Sequence, residues 1–221
     1  MKKPLVIFGS GDIAQLAHFY FSTDSSYEVV AFTVDSAYLK DTTFCGLPVI
    51  AFEEVSRQYA PDCCDFFIAI GYSKLNAVRK EKYLAVKARG YRLASFISSH
   101  ATVLNDGCIG ENCFILEDSI IQPFVTVGNN IMLWSGSHIG HHSTIKDHCF
   151  IAPHVAISGG VEIGEQCFVG VNATLRNHIK IGEKCLIGAG ALLLADAEPE
   201  GVYIGTATVR SKVPSSKLRR I

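Results

Sequence analysis

From Ile97 to Leu193, every sixth residue is isoleucine, leucine or valine, without an insertion. The residue four places after each is small or β-branched, as in Cys113, Ser119, Val125 and Ser137. Neither the 3.6-residue period of a helix nor the two-residue period of an isolated strand produces this pattern. A fixed period of six is the signature of a parallel β-helix built from hexapeptides, in which each hexad lays down a short strand and turns a corner. The aliphatic and the small residue of each hexad point inward. Glycine often follows the aliphatic, as in "IGENC", "IGEQC" and "IGEKC". Cys113, Cys149, Cys167 and Cys185 fall on the small inward position and read as compact core residues rather than reactive thiols.

Residues 1–96 follow a different rule. "LVIFG", "YEVVAFTVD", "LPVIAF" and "CDFFIAIG" read as short strands. "DIAQLAHFYFST" has helical spacing, with Ile13, Leu16, Ala17 and Tyr20 on one face. "EEVSRQYA" reads as a short helix, and "YSKLNAVRKEKYLAVKARG" as a longer one with a glycine stop at Gly90. Such alternation predicts a parallel α/β sheet with helical crossovers, whose ligands sit at the carboxyl ends of the strands. The expected organisation is a Rossmann-like α/β domain over 1–96, followed by an all-β parallel β-helix with a C-terminal tail over 97–221.

Composition narrows the function classes. The 221 residues carry a net charge of −1, with no basic excess to neutralise a nucleic acid backbone. No apolar run approaches the ~18 residues of a membrane span. The opening "MKKPLVIFGS" reads as a first strand rather than an export signal, and the eight cysteines include no CxxC pair. The expectation is a cytoplasmic protein with no membrane and no nucleic acid partner.

The hexads, with "VIFGSGD", "FIAIG", "SHIGHHSTI" and "GVYIGTATV" placed around them, resemble a family spanning the whole chain. It is the bacterial nucleotide-amino-sugar N-acetyltransferases and sialic-acid O-acetyltransferases. The resemblance implies a left-handed β-helix of hexapeptide repeats, with three hexads to a coil and about five coils from Ile97 to Leu193. It also implies a homotrimer with active sites between subunits. Acetyl-CoA is the implied co-substrate, no metal is required, and the acceptor is a nucleotide-linked amino sugar, of the 4-amino-4,6-dideoxy kind, bound for a surface glycan. The close alternative is O-acetylation of a sialic acid or related sugar.

The stretch 137–160, "SHIGHHSTIKDHCFIAPHVAISGG", holds five of the eight histidines. With about 18 residues to a coil, Gly159 and Gly160 stack on His141 and His142. Two glycines there leave a recess beside His141 with backbone amides at hand. A base next to N–H donors is what acyl transfer requires. By the resemblance, His141 is the general base, and Gly159 supplies the donor for the oxyanion. An acidic residue often follows the base in that family, whereas this chain has His142, counted as a second catalytic candidate. His138 and His178 are lesser candidates, while His148 and His154 are expected at exposed corners. Trp134 is expected to face outward, at a subunit contact or pocket wall.

The same resemblance puts Gly159, Val171 and Ala189 along the acetyl-CoA pantetheine. Arg210, Lys212, Lys217, Arg219 and Arg220 give the tail a basic character suited either to solvent or to CoA phosphates. Gly9, Ser10 and Gly11, between a strand and a helix N-terminus, are candidates for the diphosphate of the sugar nucleotide. Asp35 is a candidate for its base or ribose, and Gly71, Tyr72 and Ser73 end the neighbouring strand. The family's usual Ser-Gly-His is here Ser10-Gly11-Asp12. Two other classes remain open at this level. One is a zinc enzyme of the carbonic-anhydrase type on the same helix, with three histidine ligands at a subunit interface. The other is a non-catalytic sensor of nucleotide sugars.

Overall fold

The computed structural model describes residues 2–217. Its first part is a five-stranded sheet in the order β3-β4-β2-β1-β5, made of β1 (Lys3–Phe8), β2 (Tyr27–Val34), β3 (Thr43–Phe44), β4 (Leu47–Ala51) and β5 (Asp65–Ile68). All pairings are parallel except the short β3, an antiparallel edge that the sequence pattern does not announce. Helix α1 (Asp12–Thr23) follows β1, and α2 (Ala77–Ala88) follows β5. The segment Phe52–Arg57 is a 3-10 helix. α1 buries Ala14, Ala17 and Phe21, so its core stripe lies one position from the one expected. α2 starts five residues later than its pattern suggests. Lys74, Leu75 and Asn76 take φ values of 50°, 51° and 66°, a left-handed turn that no α-helix can contain.

From Phe96 the chain winds into a prism with three parallel sheets of seven, six and four strands. Met132 pairs with Phe150, His138 with Ala156 and Thr144 with Glu162, so each coil advances by 18 residues. The inward aliphatics form one continuous core running from Ile115 to Leu193. The four inward cysteines are buried, and each thiol donates to a carbonyl of the following coil: Cys113 to Gly128, Cys149 to Gly164 and Cys167 to Gly182 at 3.1 Å, and Cys185 to Glu198 at 3.0 Å. The final turn is two residues shorter than the rest, since Ile187 pairs with Tyr203 and Ile181 with Ala197.

The corners share one backbone geometry. Every sixth residue from Asp106 to Gly190 has a positive φ. Glycine adopts that region freely, and Asn, Asp and His are the side chains most enriched there. His142, His148, His154 and His178, at 60°, 66°, 57° and 61°, are therefore corner residues first. Much of the histidine clustering is a demand of the turn.

The α/β sheet docks on the seven-stranded face. That face presents Phe96, Phe114, Met132 and Phe150 outward, one per coil, all buried against Ala14, Ala17, Phe21 and Phe67. Burying such side chains contributes about 2 kcal/mol each. Trp134 packs at the edge of this interface, half-buried and 6.0 Å from the Phe150 ring.

Polar contacts fix the angle of docking. Arg79 of α2 is fully buried, and among the described residues no carboxylate pairs with it. Its guanidinium donates to the carbonyls of Asn130, His148 and Cys149 on the prism and of Gly71 on its own domain. Burial pushes its pKa down to about 10, so it remains a cation at neutral pH. Beside it, a ladder of corner side chains climbs the coils. Asn112 accepts from the Ile68 N–H at 2.7 Å and donates to Asn130 at 2.7 Å, and Asn130 donates to His148 Nδ1 at 2.9 Å. His148, expected at an exposed corner, is buried because α2 covers it. Among the described residues, no helix is long and apolar enough to cross a membrane.

Two outcomes follow. Arg79→Met keeps the volume but leaves the Asn130 and His148 carbonyls without a donor and takes one of two donors from the Cys149 carbonyl, and should cost about 3 kcal/mol. A melting temperature lowered by roughly 10 °C is the expected reading. Burial, aided by the nearby Lys80 ammonium, pushes His148 down to about 4, whereas an unfolded histidine titrates near 6.5. The unfolded chain binds more protons between those values, so stability should fall as pH drops from about 6.5 towards 4. Melting curves at pH 7 and pH 5 should show this loss, flattened in His148→Asn, a side chain suited to the same φ.

Candidate functional site

The edge between the six- and four-stranded faces carries the residues with the best chemistry. Successive coils place Phe124, His142, Gly160 and His178 at its positive-φ positions, with His141 and Gly159 just before the second and third. Both His141 and His142 are exposed. The His141 backbone N–H donates to Gln122 Oε1 at 2.8 Å, which ties the turn to the coil below. The two imidazoles stand at 87° to one another with their Nδ1 atoms 3.0 Å apart. The Phe124 ring packs on His142 with centroids 4.7 Å apart.

The two glycines do different work. A Cβ on Gly159 would lie 2.6 Å from His141 Cε1 and 2.7 Å from Nε2. The space beside His141 is thus not an empty recess, because the imidazole itself lies over Gly159. Glycine is needed there so that the ring can rest on the backbone. Gly160, at φ +69°, does the same for His178. The Gly160 N–H is spent on the His141 carbonyl at 2.8 Å and is unavailable to a ligand. The Gly159 N–H donates to no group among the described residues. One imidazole nitrogen and one free amide therefore share the corner, and together they can accept a proton and stabilise an oxyanion.

Val171 and Ala189 do not join them. They stack one coil apart on the opposite edge of the six-stranded face, where both are exposed. Within one chain that face separates them from Gly159. His138 lies on the face itself, between Ile120 and Ala156, and His154 sits on the far edge over Gly136. Arg210, Lys212 and Lys217 are exposed, and Arg219 and Arg220 lie outside the described residues. Among the described residues, no group of three or more His, Cys, Asp or Glu is placed to hold a metal ion.

A second site opens at the carboxyl ends of β1 and β2. A cavity of about 310 Å³ is lined by Phe8, Gly9, Val34, Asp35, Tyr38 and Lys82, among others. Gly9 has φ +129°, and a Cβ on it would meet the Ala69 carbonyl at 2.8 Å, so the tight turn requires glycine. Ser10 lines a neighbouring cavity that shares Val34 and Tyr38. Gly11 caps α1 in extended conformation with no side-chain cap, leaving the helix amides facing outward. Asp35 is ion-paired with Lys82 at 2.9 Å. None of Gly71, Tyr72 and Ser73 lines this cavity, although Ile70 and Lys74 on either side of them do. The Gly71 carbonyl accepts from Arg79, and the Tyr72 ring packs on Phe150 and Phe168 at 5.0 and 4.9 Å. Ser73 is exposed and lines neither cavity. Lys82 and Tyr38 are among the wall residues that sequence reasoning missed. Neither carries a motif, and only folding brings them opposite Asp35.

Solved structures share this two-part arrangement. The acetyltransferase domain of PglB from Neisseria gonorrhoeae, solved with acetyl coenzyme A, superposes with a TM-score of 0.82 at 21% identity, over 93% of this chain and 97% of that one. PerB from Caulobacter crescentus, solved with CoA and GDP-perosamine, gives 0.80 at 23% identity over 93% and 95%. WeeI from Acinetobacter baumannii gives 0.79 at 21% identity over 92% and 97%. The chain has their fold. It is an α/β domain on a left-handed parallel β-helix, and the bacterial transferase hexapeptide family model (six repeats) matches residues 109–141 and 160–195.

The geometry makes Gly159 a sensitive position. Gly159→Ala should leave the prism folded while forcing the His141 ring off the backbone. An unchanged melting temperature with shifted His141 ring resonances in the NMR spectrum is the expected pair of results.

Proposed function

We propose that this chain is an acetyl-CoA-dependent N-acetyltransferase acting on the amino group of a nucleotide-linked amino sugar, of the 4-amino-4,6-dideoxy kind. The observation that carries the reading is the exposed His141 imidazole lying over Gly159, whose amide is free. In the proposed reaction the sugar amine attacks the thioester carbon. His141 Nε2 takes the proton from the amine, and the Gly159 N–H holds the developing oxyanion. The oxyanion then collapses, the carbon–sulfur bond breaks, and the leaving CoA thiolate takes the proton from the His141 imidazolium, which gives the free thiol and restores the base. The transfer is direct, and the buried cysteines take no part in it.

The α/β cavity is assigned to the nucleotide. Ser10 and Gly11 at the start of α1 offer amides to the diphosphate, while the Gly9 N–H is held by the Thr33 carbonyl at 2.8 Å and Gly9 serves the tight turn. Asp35 is assigned to the base or ribose. The likeness to PerB, solved with GDP-perosamine, supports a nucleotide sugar as the acceptor. The likeness to the PglB domain, solved with acetyl coenzyme A, supports the donor. The separation of Gly159 from Val171 and Ala189 across one prism face supports a homotrimer. A groove containing both edges needs a second copy of the chain, and the face between them exposes Ile120 and Leu192.

The test is a panel of nucleotide-linked amino sugars with acetyl-CoA, following thiol release, for the wild type and His141→Ala. Wild-type turnover on an amino sugar, lowered about a hundredfold or more by the substitution, is expected. Turnover confined to a sialic acid would replace the reading with O-acetylation. Wild-type turnover by His141→Ala would remove His141 as the base.

A further inference from the structure

The His141–His142 contact has a chemistry of its own. Two Nδ1 atoms 3.0 Å apart hold one proton between them, so one ring donates and the other accepts. Two neutral arrangements satisfy this. In the first, His141 carries its proton on Nδ1 and its Nε2 lone pair is bare. In the second, His142 donates and His141 carries its proton on Nε2, where it can take no other. Only the first is a base at the edge of the ring that lies against Gly159.

We propose that His142 is a positioning residue that holds His141 in the first arrangement, with the His142 Nδ1 as acceptor. The inference rests on the reading of His141 as the base. When His141 takes a proton at Nε2 it becomes an imidazolium with both nitrogens protonated. Its Nδ1–H bond to the neutral His142 nitrogen then becomes charge-assisted and strengthens. The contact is stronger after proton transfer than before it, which is the condition for lowering a barrier. The second arrangement would bring two N–H groups face to face at the same moment. Proton transfer therefore runs through the first.

Three features keep His142 in place for this role. Its backbone sits at φ +60°, which histidine tolerates better than most side chains. The Phe124 ring one coil below packs on its imidazole at 4.7 Å. The Gln122 side chain holds the His141 N–H, which fixes the backbone between the two rings. A carboxylate in the same place would also accept from Nδ1, but would add a negative charge to the corner. The imidazole accepts without one.

Glycine and asparagine both suit a left-handed corner, so His142→Gly and His142→Asn can be compared without strain. His142→Gly removes the acceptor and should lower kcat about tenfold or more, with KM for donor and acceptor within about twofold of wild type. His142→Asn offers an amide oxygen and should restore kcat to within about threefold. Imidazole ¹⁵N spectra supply a readout that mere folding would not move. His141 should be the Nδ1–H tautomer in the wild type and in His142→Asn, and should shift towards Nε2–H in His142→Gly. An unchanged kcat and tautomer in His142→Gly would overturn the proposal, as would a raised KM at constant kcat. His141→Ala separates the two failures. If it is inactive while His142→Gly is wild type, His141 stands as the base and only the role of His142 falls.

Discussion

A guanidinium held by backbone carbonyls ties the two parts of this molecule together. Arg79 is fully buried, and it is tolerated because backbone carbonyls from two parts of the chain replace the water it has lost. The Asn130, His148 and Gly71 carbonyls would otherwise face the interface without a donor. Each side thus needs the other, and the aromatic ladder on the seven-stranded face can close over α1 only at the angle these bonds allow. The same helix serves both sites. One face of α2 carries Arg79 and the preceding Asn76 into the prism, and another carries Lys82 to the wall of the cavity beside Asp35. A shift of α2 would be felt at the cavity and at the coil of His148.

The β-helix was almost wholly legible in the sequence because its repeat is enforced at every hexad. An inward position has room for one kind of side chain only, and a single slip would turn the core outward. The same regularity held two signals that are harder to read. The residue before the inward aliphatic is large and apolar on every third hexad, at Phe96, Phe114, Met132, Phe150, Phe168 and Leu186, which marks the docking face. Residues tolerant of left-handed backbone recur every six, through Asn112, Asp118, Asn130, His142 and His154, which marks the corners. The α/β part was legible in its strands and less so in its helix ends. The left-handed turn at Lys74–Asn76 lies in a stretch whose apolar spacing and propensity suit a helix. It is set by the tertiary bond from Asn76 to the Cys167 carbonyl.

The candidate site was legible in part. Stacking by 18 residues is enough to bring His141 over Gly159, because the prism turns sequence distance directly into space. It does not foresee that the ring fills the gap, since side-chain rotamers are not periodic. It also misses Arg79, which in the sequence is one basic residue among several on a polar helix. The burial of His148 was hidden for the same reason, because its cover comes from α2, far away in the chain.

The ladder of contacts at the docked corner reaches further than adhesion. Asn112, Asn130, His148 and the Cys167 carbonyl belong to four successive coils, and the α/β domain touches each of them. A stack whose layers meet only their neighbours could otherwise gain or lose a layer at little cost. Here the attached domain works as a gauge laid along the stack. Between residues 112 and 167 a whole extra coil would throw the gauge out of step. Beyond it, towards the open end, no hydrogen bond among the described residues ties the α/β domain to a coil.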